Sequence, residues 1–325
     1  MLSRSAQSLY WMGRYLERAG HLCSLLRLQS EALVDRPIRE IHFGWNRIYA
    51  SVRRDPPGGR ADLFGDEEFA LADSFALADD LTFERSNPCS VLTCFAMGRE
   101  NARNQRHCIS PEVWTCLNAA YLKLQQRDLA EVWREEPRSF YASTEAEINT
   151  FSGLAESTMY HDEGWNFLQL GRNIERAQCA SALILSQLDI SNAGGEVYEA
   201  DWTSLLRAFH ALEVYNRVYS AEVMPAQVLD LLVSDPLLPD SLSRSINLVS
   251  GEVETIGQGP RRHSNRAVHR LAGRLASLIN HEWPDREDRE DLLREFDEYC
   301  GELHYLITAA YFEYPIQEQA PAQRR

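Results

Sequence analysis

The sequence predicts an all-α protein, a helical bundle with an internal pseudo-repeat of helical hairpins. Three observations carry this. Apolar residues recur at helical spacing along nearly the whole chain. Proline, glycine and cap-forming residues punctuate that pattern at intervals suited to helices. A heptapeptide, Gly-Arg-x-(Leu/Ile)-Glu-Arg-Ala, occurs at Gly13 to Ala19 and again at Gly171 to Ala177.

The elements follow in order. A long amphipathic helix is predicted over Ser3 to Val34, with Leu9, Leu16, Leu22, Leu25 and Leu26 on its apolar positions. Pro37 restarts the chain into a second helix reaching Arg54, and Asp55-Pro56-Pro57-Gly58-Gly59 is a loop. Helical turns follow over Glu67 to Asp80. Asn87-Pro88 opens a helix through His107. Ser110-Pro111-Glu112 reads as N-cap, first-position proline and first-turn acid, starting a helix toward Glu136. Pro137 breaks it, and a further helix runs to about Thr158. The second motif helix spans about Asp162 to Leu188, and Ser191 to Gly195 is the lobe boundary. Helices are then predicted near Asp201 to Val223, Ala226 to Val233, Asp240 to Thr255, Arg262 to His281 and Pro284 to Phe312. Residues 1–190 form one helical lobe containing both motif helices. Residues 196–314 form a C-terminal lobe packed on the first as one domain, and 315–325 a loose polar tail.

Composition narrows the function. At 325 residues the chain buries a substantial core without staples. A formal net charge of −15 argues against nucleic acid and against an anionic membrane surface as partners. Arg far outnumbers Lys, so the positive charge present is the forked kind that matches carboxylate or phosphate. The 7 cysteines are odd in number and lack a Cys-x-x-Cys pair, which fits buried thiols in a reducing compartment. No hydrophobic signal core and no membrane-length apolar run occurs, and the expected location is cytoplasmic.

The repeated motif is the main candidate for chemistry. On a helix, Arg14 and Arg18 stack one turn apart with Glu17 to one side. The stripe through Glu17 reads Ala6, Gly13, Glu17, Gly20, Ser24, and its counterpart reads Gly164, Gly171, Glu175, Gln178, Ala182. Such small residues admit another backbone. A third segment, Gly98 to Arg106, sets Arg99, Arg103 and Arg106 on one face, with Asn101 in the same segment. Glu17 and Glu175 are then the carboxylates available to compensate these guanidinium groups. Two readings stand: ion pairs that fix register in a bundle, or a pocket in which surplus arginines bind an anion.

These residues resemble the bacterial Alpha-E family, a helical domain with a Glu-Arg motif. The likeness rests on Leu2-Ser3-Arg4 with Leu9 to Ala19, on Gly98 to Arg106 followed by Ile109 to Trp114 and Leu117-Asn118, and on Gly164 to Ala177. A fourth block, Leu231 to Ser241, departs from the family pattern: Asp240 stands where Arg is usual, which bears on any anion contact from that turn. Gly20-His21 also stands where an acid and an amide are common. The resemblance implies association with an ATP-grasp-like protein and a transglutaminase-like peptidase, and hence a part in ATP-dependent amide or peptide ligation.

Other chemistry is set aside. No Glu has a His three residues later, as a di-iron bundle needs. Paired zinc ligands and a phosphate loop are both missing, so neither metal nor cofactor is expected. Glu17 with His21 reads as a hydrogen bond, and His161-Asp162-Glu163 as an N-terminal cap. Trp11, Trp45, Trp114, Trp165 and Tyr215 to Tyr219 are assigned to the core, with Tyr10 and Trp165 also placed to wall a pocket. Arg261-Arg262 with Arg266 is a basic surface cluster, and Asp285 to Glu298 an exposed acidic helix face.

The expectation is a helical accessory protein of an ATP-grasp-type ligation system that binds an anionic small molecule or peptide. Its ligand-binding residues are Arg14, Arg18, Arg99, Asn101, Arg103, Arg106, Trp165, Arg172 and Arg176, oriented by Glu17 and Glu175. The alternatives are an amide-transfer enzyme with Glu17 or Glu175 as general base, and a purely architectural network.

Overall fold

The computed structural model describes residues 1–58, 67–192, 199–257 and 266–312. These form the α-helices α1 (Ser3–Asp35), α2 (Ile38–Ser51), α3 (Glu67–Thr82), α4 (Val91–Asn104), α5 (Pro111–Leu124), α6 (Leu129–Glu135), α7 (Pro137–Thr158) and α8 (Glu163–Asn192). They continue with α9 (Glu199–Ala208), α10 (Leu212–Val218), α11 (Pro225–Ser234), α12 (Leu242–Gly257), α13 (Arg266–Ser277) and α14 (Arg289–Ile307). No strand occurs among the described residues, so the all-α class holds. Wider π-helical turns extend α13 over Leu278–Glu282 and α14 over Thr308–Phe312.

The two motif helices form the axis. α1 packs against α8, α4 and α7, while α8 also packs against α12, α14 and α2. Glycine sets how closely α1 and α8 approach. A Cβ at Gly13 would overlap the Leu168 carbonyl oxygen and stand 2.9 Å from the Arg172 nitrogen. A Cβ at Gly171 would overlap the Tyr10 carbonyl. Tyr10 and Leu168 occupy equivalent positions in the two motif segments, so the contact is reciprocal: each motif glycine rests on the other helix's backbone. Only residues without a side chain permit this.

Several sequence expectations are met at the helix ends. Ser110 Oγ accepts from Val113 N at 3.2 Å beneath the first-position Pro111. Asp162 Oδ1 accepts from Gly164 N at 2.8 Å, so it caps α8 as predicted. The core is aromatic-rich with satisfied polar tips: Trp45 Nε1 donates to Ser74 Oγ at 2.9 Å and Trp283 Nε1 to Asp230 Oδ1 at 3.0 Å. Trp165 and Tyr215 are buried, but Trp11 and Trp114 are half-buried and Tyr219 is exposed. All seven cysteines are free, and Cys23, Cys89, Cys94, Cys179 and Cys300 are buried.

Two predicted helices are broken. The helix expected from Ser110 to Glu136 stops at Leu124, because Asp128 accepts from Glu131 N at 2.8 Å and starts a fresh helix. The helix expected over Asp201 to Val223 breaks at His210, whose φ of 52° is left-handed and ends helical hydrogen bonding. Apolar spacing continues across both breaks, which hides them in the sequence. Ser191 and Asn192 lie in α8, not in a loop. The rest of that expected boundary, most of the Arg261-Arg262 cluster and the tail lie outside the described residues.

Candidate functional site: a reciprocal Arg–Glu network and its cavity

The close α1–α8 crossing places each motif's carboxylate between the arginines of the other. Glu175 accepts from Arg14 Nε at 2.5 Å and from Arg18 Nε at 2.6 Å. Glu17 accepts from Arg176 Nε at 2.5 Å and from Arg172 Nε at 3.0 Å. Every carboxylate oxygen in the pair of motifs therefore holds one guanidinium.

The two halves differ in closure. Around Glu175, Arg14 Nη2 also donates to Gln178 Oε1 at 2.6 Å, and Gln178 Nε2 donates to the Cys300 carbonyl at 3.1 Å. The Arg14 guanidinium lies over Trp11, 5.2 Å from the ring centroid, and its buried Nη1 has the aromatic face in place of a hydrogen bond. The Arg14 side chain is 6% exposed and Glu175 3%. Around Glu17 the Arg172 side chain is 29% exposed and Glu17 15%.

Two differences between the repeats bear on this: Trp11 stands where the other segment has Gln169, and the larger effect comes from the position beyond the glutamate. The position equivalent to Gln178 is Gly20. Gln178 fills the space beside Arg14, whereas Gly20 leaves it empty beside Arg172, where a cavity of about 320 Å³ opens. Glu17, Gly20, His21, Arg172, Arg176 and Asp240 are among its lining residues. Among the described residues Arg172 donates only through Nε to Glu17, so its two terminal nitrogens stay free. Ser24 lines the same cavity, is buried, and its Oγ has no hydrogen-bond partner.

Burial raises the pKa of both carboxylates, but the arginines outweigh it. Glu175 falls to about 2 under Arg14 and Arg18, and Glu17 is lowered by Arg176 and Arg172. Both are firmly ionised. His21 bonds Ser51 Oγ at 3.0 Å, not Glu17 as the spacing suggested, and burial lowers its pKa to about 4. Asp240, the departure noted in the fourth block, sits 3.4 Å from Arg176 Nη1. Arg176 Nη1 also donates to the Pro239 carbonyl at 3.3 Å.

Arg99 and Arg103 on α4, and Arg106 in the turn beyond its end at Asn104, short of the His107 end the sequence predicts, stand apart from this network, contrary to the expectation that Glu17 and Glu175 would compensate them. The four motif arginines already occupy both carboxylates. Arg99 donates to Asn118 Oδ1 at 2.7 Å and lies over Trp114 and Tyr121. Arg106 also stacks on Trp114, and the exposed Arg103 bonds Glu100 at 2.6 Å. Asn101 is half-buried on the same helix. Trp165 stacks on His161 with centroids 4.2 Å apart at the start of α8, and Tyr10 is buried against His304, so neither lines the cavity. Glu145, Asn149 and His210 do line it and were not anticipated. Gly20 and Ser24 were legible as part of the small stripe through Glu17. Glu145 and His210 carried no signal, because α7 and the break after α9 deliver them from far along the chain.

The fold and site together define a helical domain organised around reciprocal Glu–Arg pairs. The chain belongs to the Alpha-E family, described as a predicted alpha-helical domain with a conserved ER motif, whose model matches residues 1–312. Among curated proteins it is similar to an uncharacterized protein of Mycobacterium tuberculosis H37Rv, 24% identical over 295 residues, covering 84% of this chain and 32% of that protein. A Mycobacterium bovis protein, also named only as uncharacterized, is 24% identical over 292 residues with the same coverage. The chain thus spans about a third of the length of these relatives. No solved structure matches.

Proposed function

We propose that this protein is a helical partner of an ATP-grasp-type amide or peptide ligation system and holds an anionic group, a carboxylate or phosphate, against Arg172. The observation that carries the reading is the missing partner of Arg172. Its counterpart Arg14 is completed by Gln178. Arg172 faces Gly20 and a cavity instead, with the forked edge that recognises oxyanions left unused. The buried, unpartnered Ser24 Oγ supports a polar occupant in the same space.

The partner role draws on the family resemblance, which associates such domains with an ATP-grasp-like protein and a transglutaminase-like peptidase. It is in keeping with relatives about three times as long, in which a matching segment stands beside other sequence. A cytoplasmic setting goes with it, since seven free thiols suit a reducing compartment.

Catalysis by the chain alone is the weaker alternative. A general base near neutral pH needs a raised pKa and a free lone pair. Glu175 sits at about 2, Glu17 is also lowered, and every oxygen of both is occupied.

The test fills the cavity from within. Gly20→Gln reproduces the sealed half, its amide oxygen meeting Arg172 as Gln178 meets Arg14. An ATP-grasp-like protein should copurify with the unmodified chain and be stimulated by it in ATP-dependent ligation, and the variant should stay folded but lose that stimulation. Amide-bond formation by the isolated chain, or no stimulation by the unmodified protein, would remove the partner assignment.

A further inference from the structure

The cavity wall carries more than one oxyanion site. From Arg172 the charged groups follow one another with alternating sign. Arg172 meets Glu17, Glu17 meets Arg176, and Arg176 meets Asp240 at 3.4 Å. His210 follows, 3.3 Å from Glu145 Oε1, and Glu145 Oε2 lies 3.7 Å from Arg27 Nε. Three carboxylates thus line the cavity against two guanidinium groups.

A ligand that is only negative meets a difficulty here. Its charge would gain Arg172 but also meet Glu17, Asp240 and Glu145, whose charge Arg176 and His210 offset only in part. The acidic side has unused capacity as well. Among the described residues Asp240 engages Arg176 through Oδ1 at 3.4 Å and its Oδ2 has no partner, and Glu145 is held only by the longer contacts above. Burial raises the Asp240 pKa despite Arg176, the mark of a carboxylate with incomplete cationic compensation.

The geometry points to a zwitterion as the occupant: we infer that the cavity takes an amino acid or short peptide, its carboxylate on Arg172 and its free ammonium on Asp240 and Glu145. The inference rests on the reading of this cavity as a binding site and narrows its ligand to one bearing both charges. Ser24 Oγ and Asn149 add uncharged hydrogen-bonding groups to the same cavity wall. His21, held neutral and bonded to Ser51, adds no charge.

Titration calorimetry on the whole protein with three probes tests this: L-alanyl-L-alanine, its N-acetyl derivative and its C-terminal amide. The free dipeptide should bind at least about tenfold more tightly than either blocked form, as expected when a charged group loses a buried partner. Asp240→Asn should narrow the gap between the dipeptide and the N-acetyl form, Asp240→Asn with Glu145→Gln should close it, and Arg172→Gln should equalise the dipeptide and the amide. If the N-acetyl form binds the unmodified protein as well as the dipeptide does, the ammonium site is refuted while the oxyanion site stands. If none of the probes binds, the zwitterion assignment fails. If stimulation of the ATP-grasp-like protein still survives Arg172→Gln, the oxyanion reading fails with it. The comparison of probes on unmodified protein needs no variant to fold.

Discussion

The two halves of the network use the same residues for different ends. Arg14 and its contact with Glu175 are sealed by Gln178 and Trp11; Arg172, Arg176 and Glu17 border an open cavity beside Gly20. Identical chemistry thus yields a structural clamp on one side and an accessible surface on the other. The difference lies in the neighbours: one turn beyond each glutamate stands an amide that completes the guanidinium or no side chain at all, and Trp11 over Arg14 is matched only by Gln169. A repeated motif does not imply a repeated role.

The contrast is broken most directly by neutralising each carboxylate in turn. Glu175→Gln strands the buried Arg14 and the half-buried Arg18 guanidinium groups and should cost about 3–5 kcal/mol. Glu17→Gln leaves arginines with access to water and should cost about 1–2 kcal/mol, between buried and surface pairs. Urea unfolding at unchanged m-value measures both, and equal losses would erase the distinction between the halves.

Acid titration probes the same asymmetry. Glu175 has a folded pKa near 2, below its ordinary value of 4.5, so its stabilisation is full above pH 4.5 and disappears as pH falls toward 2. His21, lowered from 6.5 to about 4, favours the folded state while neutral, and that contribution is lost earlier, between pH 6.5 and 4. His304 is lowered over the same range. Stability followed by circular dichroism should therefore decline in two steps. His21→Gln should reduce the first step, leaving the His304 share, and leave the second unchanged, whereas a single step near pH 4.5 would contradict these assignments.

The glycines should behave alike where the carboxylates do not. Gly13→Ala and Gly171→Ala each force a methyl into the other helix's backbone and should each cost about 1–3 kcal/mol or more. Gly251, Gly273 and Gly301 have open space at the Cβ position, so alanine there should stabilise by about 0.5–1 kcal/mol. A thermal shift of the same sign at all five positions would show that the α1–α8 approach is not set by these residues. The smallest effect belongs to Gly20→Gln. Its ordinary clearance to Ile148, 3.6 Å, predicts a gain of up to about 1 kcal/mol from helix propensity. Unfolding by that change would mean the cavity wall cannot accept a side chain.

Much of the fold was legible because helices record themselves locally. Leu9, Leu16 and Leu22 mark a buried stripe, Ser110-Pro111 and Asp162 mark starts, and Gly13 and Gly171 announce a close approach. The breaks at Asp128 and His210 were hidden, since apolar spacing runs through both. The site was legible in part. Glu17, Glu175 and the four motif arginines meet as their duplication suggests, whereas Arg99, Arg103 and Arg106 share their composition but find other partners.

The sequence by itself determined that long amphipathic helices form, that two of them carry matched Arg-Glu-Arg stripes, and that glycine lets these touch, because such properties depend on residues a turn apart. Only the tertiary structure decided which carboxylate holds which arginine, and that one half is closed by Gln178 and Cys300 while the other faces Asp240, Glu145 and His210. Those neighbours come from helices and turns distant in the chain. Burial and charge at a point depend on everything packed around it, and no local pattern encodes that sum.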